Sequence, residues 1–286
     1  TIDGLGSYCA LDPFEGAKIV VAESARNIAC SGADPIGMTD CLNFGSPEKP
    51  EVFYYFDRVI AGLGDACRAF NIPITGGNVS LYNENPTGAI DPTPIVGMMG
   101  LFSNVERAVT QWFKDEGDTV YLLGNIGDSI GGSRYLQLVH GKKTGPCPKL
   151  DLEAELKLHQ ALRAMAEAKV LQSAHDCSDG GFAVALAECC MTGMTHEAPT
   201  RGVKVSLPGN GRVDGRLFGE AQSRVIVSCK PGSTAQLEAL AKEFGVPSEK
   251  IGQVEGDSLI VGDAVKAPVS RLADLYFNSI EKIMAS

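Results

Sequence analysis

Gly76-Gly77-Asn78-Val79-Ser80-Leu81-Tyr82-Asn83-Glu84 is the stretch on which the reading of this chain turns. It follows residues 72–75, a short apolar run with strand composition that leads into a Gly76-Gly77 turn. Two adjacent glycines let the backbone approach a ligand closely, and exposed N–H groups there can form an anion cradle. Asn78 offers a neutral oxygen to magnesium, and Ser80 a hydroxyl to a phosphate or sugar. Gly-Gly-Asn is also good turn chemistry, and on spacing alone a plain strand and turn is the better account.

The surroundings give an α/β pattern. Asp12-Pro13-Phe14-Glu15 has a cap residue, Pro at the first helical position and Glu at the third, and so opens a helix. Ala17, Val20, Val21, Ala25 and Ile28 form its apolar stripe, and Gly32 is its stop. Residues 35–44 read as a strand containing Thr39-Asp40-Cys41-Leu42-Asn43-Phe44-Gly45. Asp40 lies among apolar residues, where a carboxylate could hold a metal or a nucleotide amine; a cap or turn role fits it at least as well. Pro50 opens a second helix with Val52, Phe56, Val59, Leu63, Cys67 and Phe70 at helical spacing, and residues 95–102 form another strand. The order helix, strand, helix, strand, strand is that of an α/β unit.

A break at Asp115-Glu116-Gly117-Asp118 divides the chain into residues 1–115 and 116–286. Beyond it come a strand at 119–123, glycine turns at Gly124, Gly127, Gly131 and Gly132, and a long helix carrying Leu152, Leu156, Leu162 and Met165. Helices at 182–190 and 235–244, a strand at 224–229 and a closing helix at 272–285 complete the reading. Within this half, His175-Asp176-Cys177-Ser178-Asp179-Gly180-Gly181 sets two carboxylates three apart beside a helix start. Such a helix N-terminus can bind phosphate through its N–H groups and through a bridging magnesium. Ser178 or Asp179 acting as a simple cap is an even alternative. Phe218-Gly219-Glu220-Ala221-Gln222-Ser223-Arg224 concentrates polar groups where a buried strand begins, and a solvated strand end is the better local account.

Composition bounds the function. The chain has 286 residues, 44% of them hydrophobic, enough for two modest cores. A net charge of -10 disfavours nucleic acid as a partner, and no apolar run is long enough to span a membrane. Nine cysteines without Cys-x-x-Cys spacing fit reduced thiols in a cytoplasmic protein better than disulfides or a zinc site. The chain opens in mid-motif at Thr1-Ile2-Asp3-Gly4, which reads as a fragment of something longer. His140, His159, His175 and His196 lack a nucleophile at telling distance, so no catalytic base or nucleophile is assigned. His159 reads as a surface or boundary residue, and only His175 lies beside other polar site candidates.

Taken together, the Gly76-to-Glu84 run and Thr39-Asp40-Cys41-Leu42-Asn43-Phe44-Gly45 resemble the C-terminal half of the small-type phosphoribosylformylglycinamidine synthases. Asp12-Pro13, Arg26-Asn27 and Ser178-Asp179-Gly180-Gly181 sit in matching order, and the resemblance runs the length of the chain. The large single-chain form reads differently at the glycine segment. The resemblance implies the α/β (α+β) fold of aminoimidazole ribonucleotide synthetase, with a barrel-forming first domain and a layered α/β second domain that covers a cleft. It implies an ATP-driven conversion of formylglycinamide ribonucleotide to its amidine, with ammonia derived from glutamine. It places Asp40 and Gly77 at ATP, Asn78 at Mg2+ and Ser80 at the ribonucleotide. It places Asp176, Ser178, Asp179, Gly180, Gly181, Glu220, Gln222 and Ser223 at a second cleft that can hold an auxiliary nucleotide.

The implied partners are an N-terminal half of the same synthetase, a glutaminase subunit and a small accessory subunit. No Ser-His-Asn-His-Pro-like segment is present, so the chain alone is expected not to make the amidine. Residues 95–102, left as an unpaired apolar edge, would favour a homodimer. Two other readings are a self-sufficient homodimeric kinase or synthetase of the same superfamily and a non-catalytic nucleotide-binding module.

Overall fold

A computed structural model describes residues 1–192 and 200–285; His196 lies outside the described residues. The first half begins with strand β1 (Ile2–Gly4), the short helix α1 (Gly6–Leu11) and the long helix α2 (Pro13–Cys30). Asp12 caps α2, its carboxylate accepting from the N–H groups of Phe14 and Glu15 at 3.1 Å. Gly32, at φ 86°, turns the chain out of the helix. Strand β2 (Asp34–Asn43) follows, then α3 (Pro50–Phe70), which ends on Asn71 in the left-handed region. Strand β3 (Ile74–Ser80), the two-residue strands β4 (Glu84–Asn85) and β5 (Gly88–Ala89), and β6 (Thr93–Leu101) complete this half.

The four-stranded sheet runs β1-β6-β2-β3, with β2 and β3 parallel and the other pairs antiparallel. Helices α2 and α3 cover one face, and Ile19, Val20, Val59 and Leu63 pack there against Met38, Leu42 and Val96. Two expectations are corrected. The Gly76-Gly77 pair is not a turn: β3 runs through both glycines, paired with β2 from Ile74 to Ser80, and neither has a positive φ. Strand β6 is not an edge, because Ile2, Asp3 and Gly4 pair along it and leave β1 and β3 as the outer strands.

The second half carries β7 (Thr119–Leu123), α4 (Arg134–His140), α5 (Leu152–Glu167), β8 (Leu171–Asp176) and α6 (Gly181–Cys190). Then come β9 (Val203–Val205), α7 (Val213–Phe218), β10 (Val225–Cys229), α8 (Thr234–Glu243) and β11 (Ser248–Val254). Strands β12 (Ser258–Val261) and β13 (Val265–Pro268) precede α9 (Val269–Phe277) and α10 (Ser279–Ala285), so the expected single closing helix is two, separated at Asn278. The seven strands lie in the order β13-β12-β9-β11-β7-β10-β8. Residues of α5 and α8 pack on one face of this sheet, and residues of α6, α7 and α9 on the other.

The halves share their cores. Ala29 and Cys30 of α2 pack with Leu158, Leu162 and Met165 of α5. Cys147 and Leu150, from the second half, pack into the first core. All nine cysteines are free, and eight of them are buried. Among the described residues, no helix is long and apolar enough to cross a membrane.

Candidate functional site

Strands β2 and β3 hold the first group of site residues. Asp40 pairs with Gly77, Cys41 with Asn78 and Asn43 with Ser80 in parallel register. Asp40 also pairs with Val96, which is fully buried, so its side chain projects from the helix-covered face between Met38 and Leu42. A Cβ built on Gly77 would overlap the Asp40 carboxylate and the Asp40 carbonyl oxygen. Glycine is therefore required here by close approach, not by an unusual φ. Burial raises the Asp40 carboxyl above its ordinary range. Asn78 and Ser80 lie one and three residues further on and so face the other side of the sheet. The structure thus puts the four residues on two neighbouring strands, but on opposite faces. Asp40 is a mid-strand residue and neither a cap nor a turn residue.

The chain beyond Ser80 is tied back onto β2. The N–H of Phe44 donates to Ser80 O, and the N–H groups of Tyr82 and Asn83 donate to Gly45 O and Phe44 O, each at 3.0 Å. The Asn83 side-chain amide donates to Phe44 O at 3.1 Å, Ser80 O at 2.9 Å and Ser80 Oγ at 3.1 Å. Glu84 accepts from the Ser46 N–H at 3.1 Å and from Lys49. Tyr82 takes a left-handed backbone at φ 59° to make this return.

The second group meets at the junction of the halves, where Asp176, Glu220 and Gln222 are buried. Gly180, at φ 78°, is the N-cap of α6 and offers no side chain of its own; Ser178 and Asp179 do not cap the helix. Glu220 takes that place. Its Oε1 accepts from the N–H of Gly180 and the N–H of Arg134, both at 2.8 Å, and its other oxygen accepts from the Tyr8 hydroxyl of the first half. Gly181 must be glycine, since a Cβ there would strike the backbone of Phe218 and Gly219. Arg134 reaches Asp179 at 3.0 Å. The segment expected as a solvated strand end is instead buried: Glu220 is 2% exposed and Arg224 fully buried. Arg224 donates to Ala221 O and Gly219 O at 2.7 Å, while its Nη1 has no hydrogen-bond partner.

Arg26, on α2, is fully buried at the same junction. It reaches Glu155 at 2.8 Å, Gln222 at 3.0 Å and Asp176 at 3.4 Å, all from the second half. Glu155 also meets His159 at 2.9 Å and accepts from Ser223, which sits at φ 59°. His159 is 2% exposed, so its expected surface place is wrong: its ring packs 5.2 Å from Phe70. His175 pairs with Glu188 at 2.7 Å.

Sequence reasoning missed Asp3 and Glu23, which extend the acidic lining. Asp3 accepts from Ser24 at 2.6 Å and Asn27 at 3.3 Å. Glu23 is 8% exposed and makes no hydrogen bond in the described structure. Burial, then the charge of Asp176, raises its carboxyl well above the ordinary range, and the Arg26 charge does not offset this. The signal was available: Glu23 and Arg26 are charged residues set among the apolar Val20, Val21, Ala22, Ala25 and Ile28 of the same helix. Among the described residues, no group of three or more His, Cys, Asp or Glu side chains is arranged to hold a metal ion.

Residues 1–102 match the family model for the N-terminal domain of AIR synthase related proteins, and residues 115–263 match that for the C-terminal domain. The chain is 47% identical over 283 residues to the phosphoribosylformylglycinamidine synthase subunit PurL of Anaeromyxobacter sp. (strain Fw109-5), covering 98% of this chain and 37% of that protein. It therefore spans little more than a third of this curated relative. Among solved structures, Thermotoga maritima PurL complexed with ATP superposes at a TM-score of 0.72 with 20% identity, over 95% of this chain and 43% of that one. A HypE–HypF complex gives 0.67 with 17% identity, over 94% and 88%. These two likenesses are of fold alone.

Proposed function

The chain belongs to the AIR synthase related protein family, and we propose that it supplies part of the ATP and ribonucleotide site of a phosphoribosylformylglycinamidine synthase. The observation that carries this reading is the β2–β3 pair, where Gly77 lies against Asp40 and Asn78 and Ser80 follow on the same strand. In this reading ATP lies across Asp40 and Gly77, and the T. maritima relative was solved with ATP. Asn78 contributes a neutral oxygen toward Mg2+, and Ser80 a hydroxyl to the ribonucleotide. Bound magnesium would neutralise the phosphates and stabilise charge as phosphate transfers to the formyl-amide oxygen. Glutamine-derived ammonia then displaces that phosphate.

No residue of this chain is assigned as a base or nucleophile. A first synthetase half must complete the site, with a glutaminase subunit and a small accessory subunit delivering ammonia. Residues 1–115 carry the ATP and magnesium positions, and residues 116–286 cover the cleft. The deciding experiment mixes this chain with that first half and measures ATP-dependent amidine formation. Activity restored only in the mixture, and lost with Asp40→Asn, supports the reading. Turnover by this chain alone overturns it in favour of a self-sufficient synthetase.

The cleft between the halves supports a second, auxiliary nucleotide with a structural role. Glu23 and the Arg224 Nη1 are buried charges of opposite sign, each without a hydrogen-bond partner. A phosphate–magnesium pair offers both an acceptor and a cation. Because no three carboxylates converge among the described residues, a cation there would take one or two protein oxygens and fill its shell from phosphate and water, as magnesium commonly does. In this reading the lining residues for it are Asp176, Ser178, Asp179, Gly180, Gly181, Glu220, Gln222 and Ser223, and we include Asp3 and Glu23 beside them.

A further inference from the structure

Asn83 touches the hydroxyl of Ser80 and fixes how that hydroxyl can be used. Its Nδ2 lies 3.1 Å from Phe44 O and 2.9 Å from Ser80 O. Both are carbonyl oxygens, which only accept, so the amide can be oriented one way only. The same Nδ2 lies 3.1 Å from Ser80 Oγ, so its two protons are shared among three acceptors, this hydroxyl among them. That contact occupies a lone pair of the hydroxyl. The hydroxyl proton keeps only the longer 3.3 Å contact to Asn83 Oδ1. An arriving acceptor can take this proton at little cost; an arriving donor would have only the second lone pair of the oxygen.

We infer that Asn83 is a positioning residue: it holds the Ser80 hydroxyl so that the hydroxyl proton is offered to the ribonucleotide, which suits an acceptor oxygen, phosphate or carbonyl. This rests on the assignment of Ser80 to the ribonucleotide. Asn83 also carries the turn: its backbone N–H donates to Phe44 O at 3.0 Å, and the return holds the end of β3 against the loop after β2.

The test uses the full-length synthetase with its partner subunits and three variants: Ser80→Ala, Asn83→Ala and the double variant. Loss of a neutral hydrogen bond to substrate raises KM by roughly 3- to 10-fold. Both single variants are expected to raise KM for the ribonucleotide within that range. KM for ATP should stay near the parent value in both, and the melting temperature should stay near it for Ser80→Ala and fall modestly for Asn83→Ala, which also loses the bonds to Phe44 O and Ser80 O. The double variant should match Ser80→Ala, because a residue that acts through another adds nothing once that one is gone. If Ser80→Ala raises KM while Asn83→Ala leaves it unchanged, the positioning role is overturned and the Ser80 assignment stands. If Asn83→Ala raises both KM values alike, or adds its full effect on top of Ser80→Ala, Asn83 is only a structural support and the inference falls. A silent Ser80→Ala overturns the underlying assignment, and the inference with it.

Discussion

Asp40 stands against Gly77 so closely that any side chain on Gly77 would occupy the volume of the carboxylate. The two belong to adjacent parallel strands and are direct register partners. Gly77→Ala must therefore displace either the Asp40 side chain or the β2 backbone, at a cost of about 1–3 kcal/mol for overpacking. We expect a lowered melting temperature together with weakened ATP binding. Asp40→Asn removes the charge without changing the shape. It should melt near the parent temperature yet bind ATP about 10-fold or more weakly, if the carboxylate accepts from the nucleotide. Calorimetric ATP titration in the assembled enzyme, beside thermal melts, separates the two effects. Unchanged ATP affinity in both variants removes this pair from the nucleotide site.

Arg26 is the only cation joined by hydrogen bonds to Glu155 and Asp176 within the described structure. Arg26→Met leaves two buried carboxylates without it, and breaking a buried pair on one side costs about 3–5 kcal/mol. Glu155 makes the loss pH-dependent. Burial alone would push its carboxyl up, but the Arg26 charge, then His159 and Ser223, hold it down to about 2 against an ordinary 4.5. A depressed carboxyl stabilises the fold above its unfolded value and loses that contribution as pH falls through the folded one. The parent protein should therefore lose this stability as pH drops from about 4.5 toward about 2. Arg26→Met should show little of that slope. Denaturant melts across this range check it, and parallel slopes for the two proteins would refute the linkage.

Much of the first half was legible because its signals are local. The Asp12-Pro13 start and the Gly32 stop of α2 need only neighbouring residues. The glycine pair was not legible as strand, because β3 is extended by its pairing with β2, a contact distant in sequence. Glu220 and Arg224 looked like a wet strand end for the same reason. Their burial depends on Tyr8 and α6 arriving from elsewhere. His159 was misplaced because its partners are a Glu one turn back and a Phe from the other half. The residues implied by resemblance lie in two groups in the structure, and Asn83, Glu23 and Asp3 come beside them only through three-dimensional proximity.

The uncovered face of the first sheet bears on assembly. Ile2, Ile36, Met99 and Leu101 are each at least 45% exposed, and Ile36 and Met99 line an open hollow of about 330 Å³ with Thr39, Thr75 and Gly97. The apolar surface is thus a sheet face, and not the free edge of β6. A contiguous apolar face of this kind favours a two-fold pairing of like units. We expect the isolated chain to be a dimer by light scattering at micromolar concentration. Met99→Glu should give a monomer with unchanged circular dichroism. A monomeric parent protein would exclude this face as a self-interface.

Glu23 separates the ligand-free cleft from a loaded one. Its carboxyl is raised above the ordinary 4.5 by burial first and by Asp176 next. A raised carboxyl favours the fold below its unfolded value, and the advantage is lost as pH rises through the folded value. At neutral pH the buried, unpartnered group is therefore a burden. Glu23→Gln should raise the melting temperature of the ligand-free protein by roughly 2–8 °C, for a recovered 1–2 kcal/mol. The gain should shrink as the pH is lowered toward the ordinary carboxylate range, where both forms are neutral. With magnesium and nucleotide present the sign reverses, because the parent carboxylate then has a cation to hold and the glutamine does not. Removing magnesium with a chelator should abolish nucleotide binding to the parent protein, since Asp3, Asp176, Asp179 and Glu220 otherwise repel phosphate. Calorimetry with ADP, with and without magnesium, reads both effects. Tight magnesium-independent binding, or a Glu23→Gln variant that binds as well as the parent, would remove the cation from this cleft.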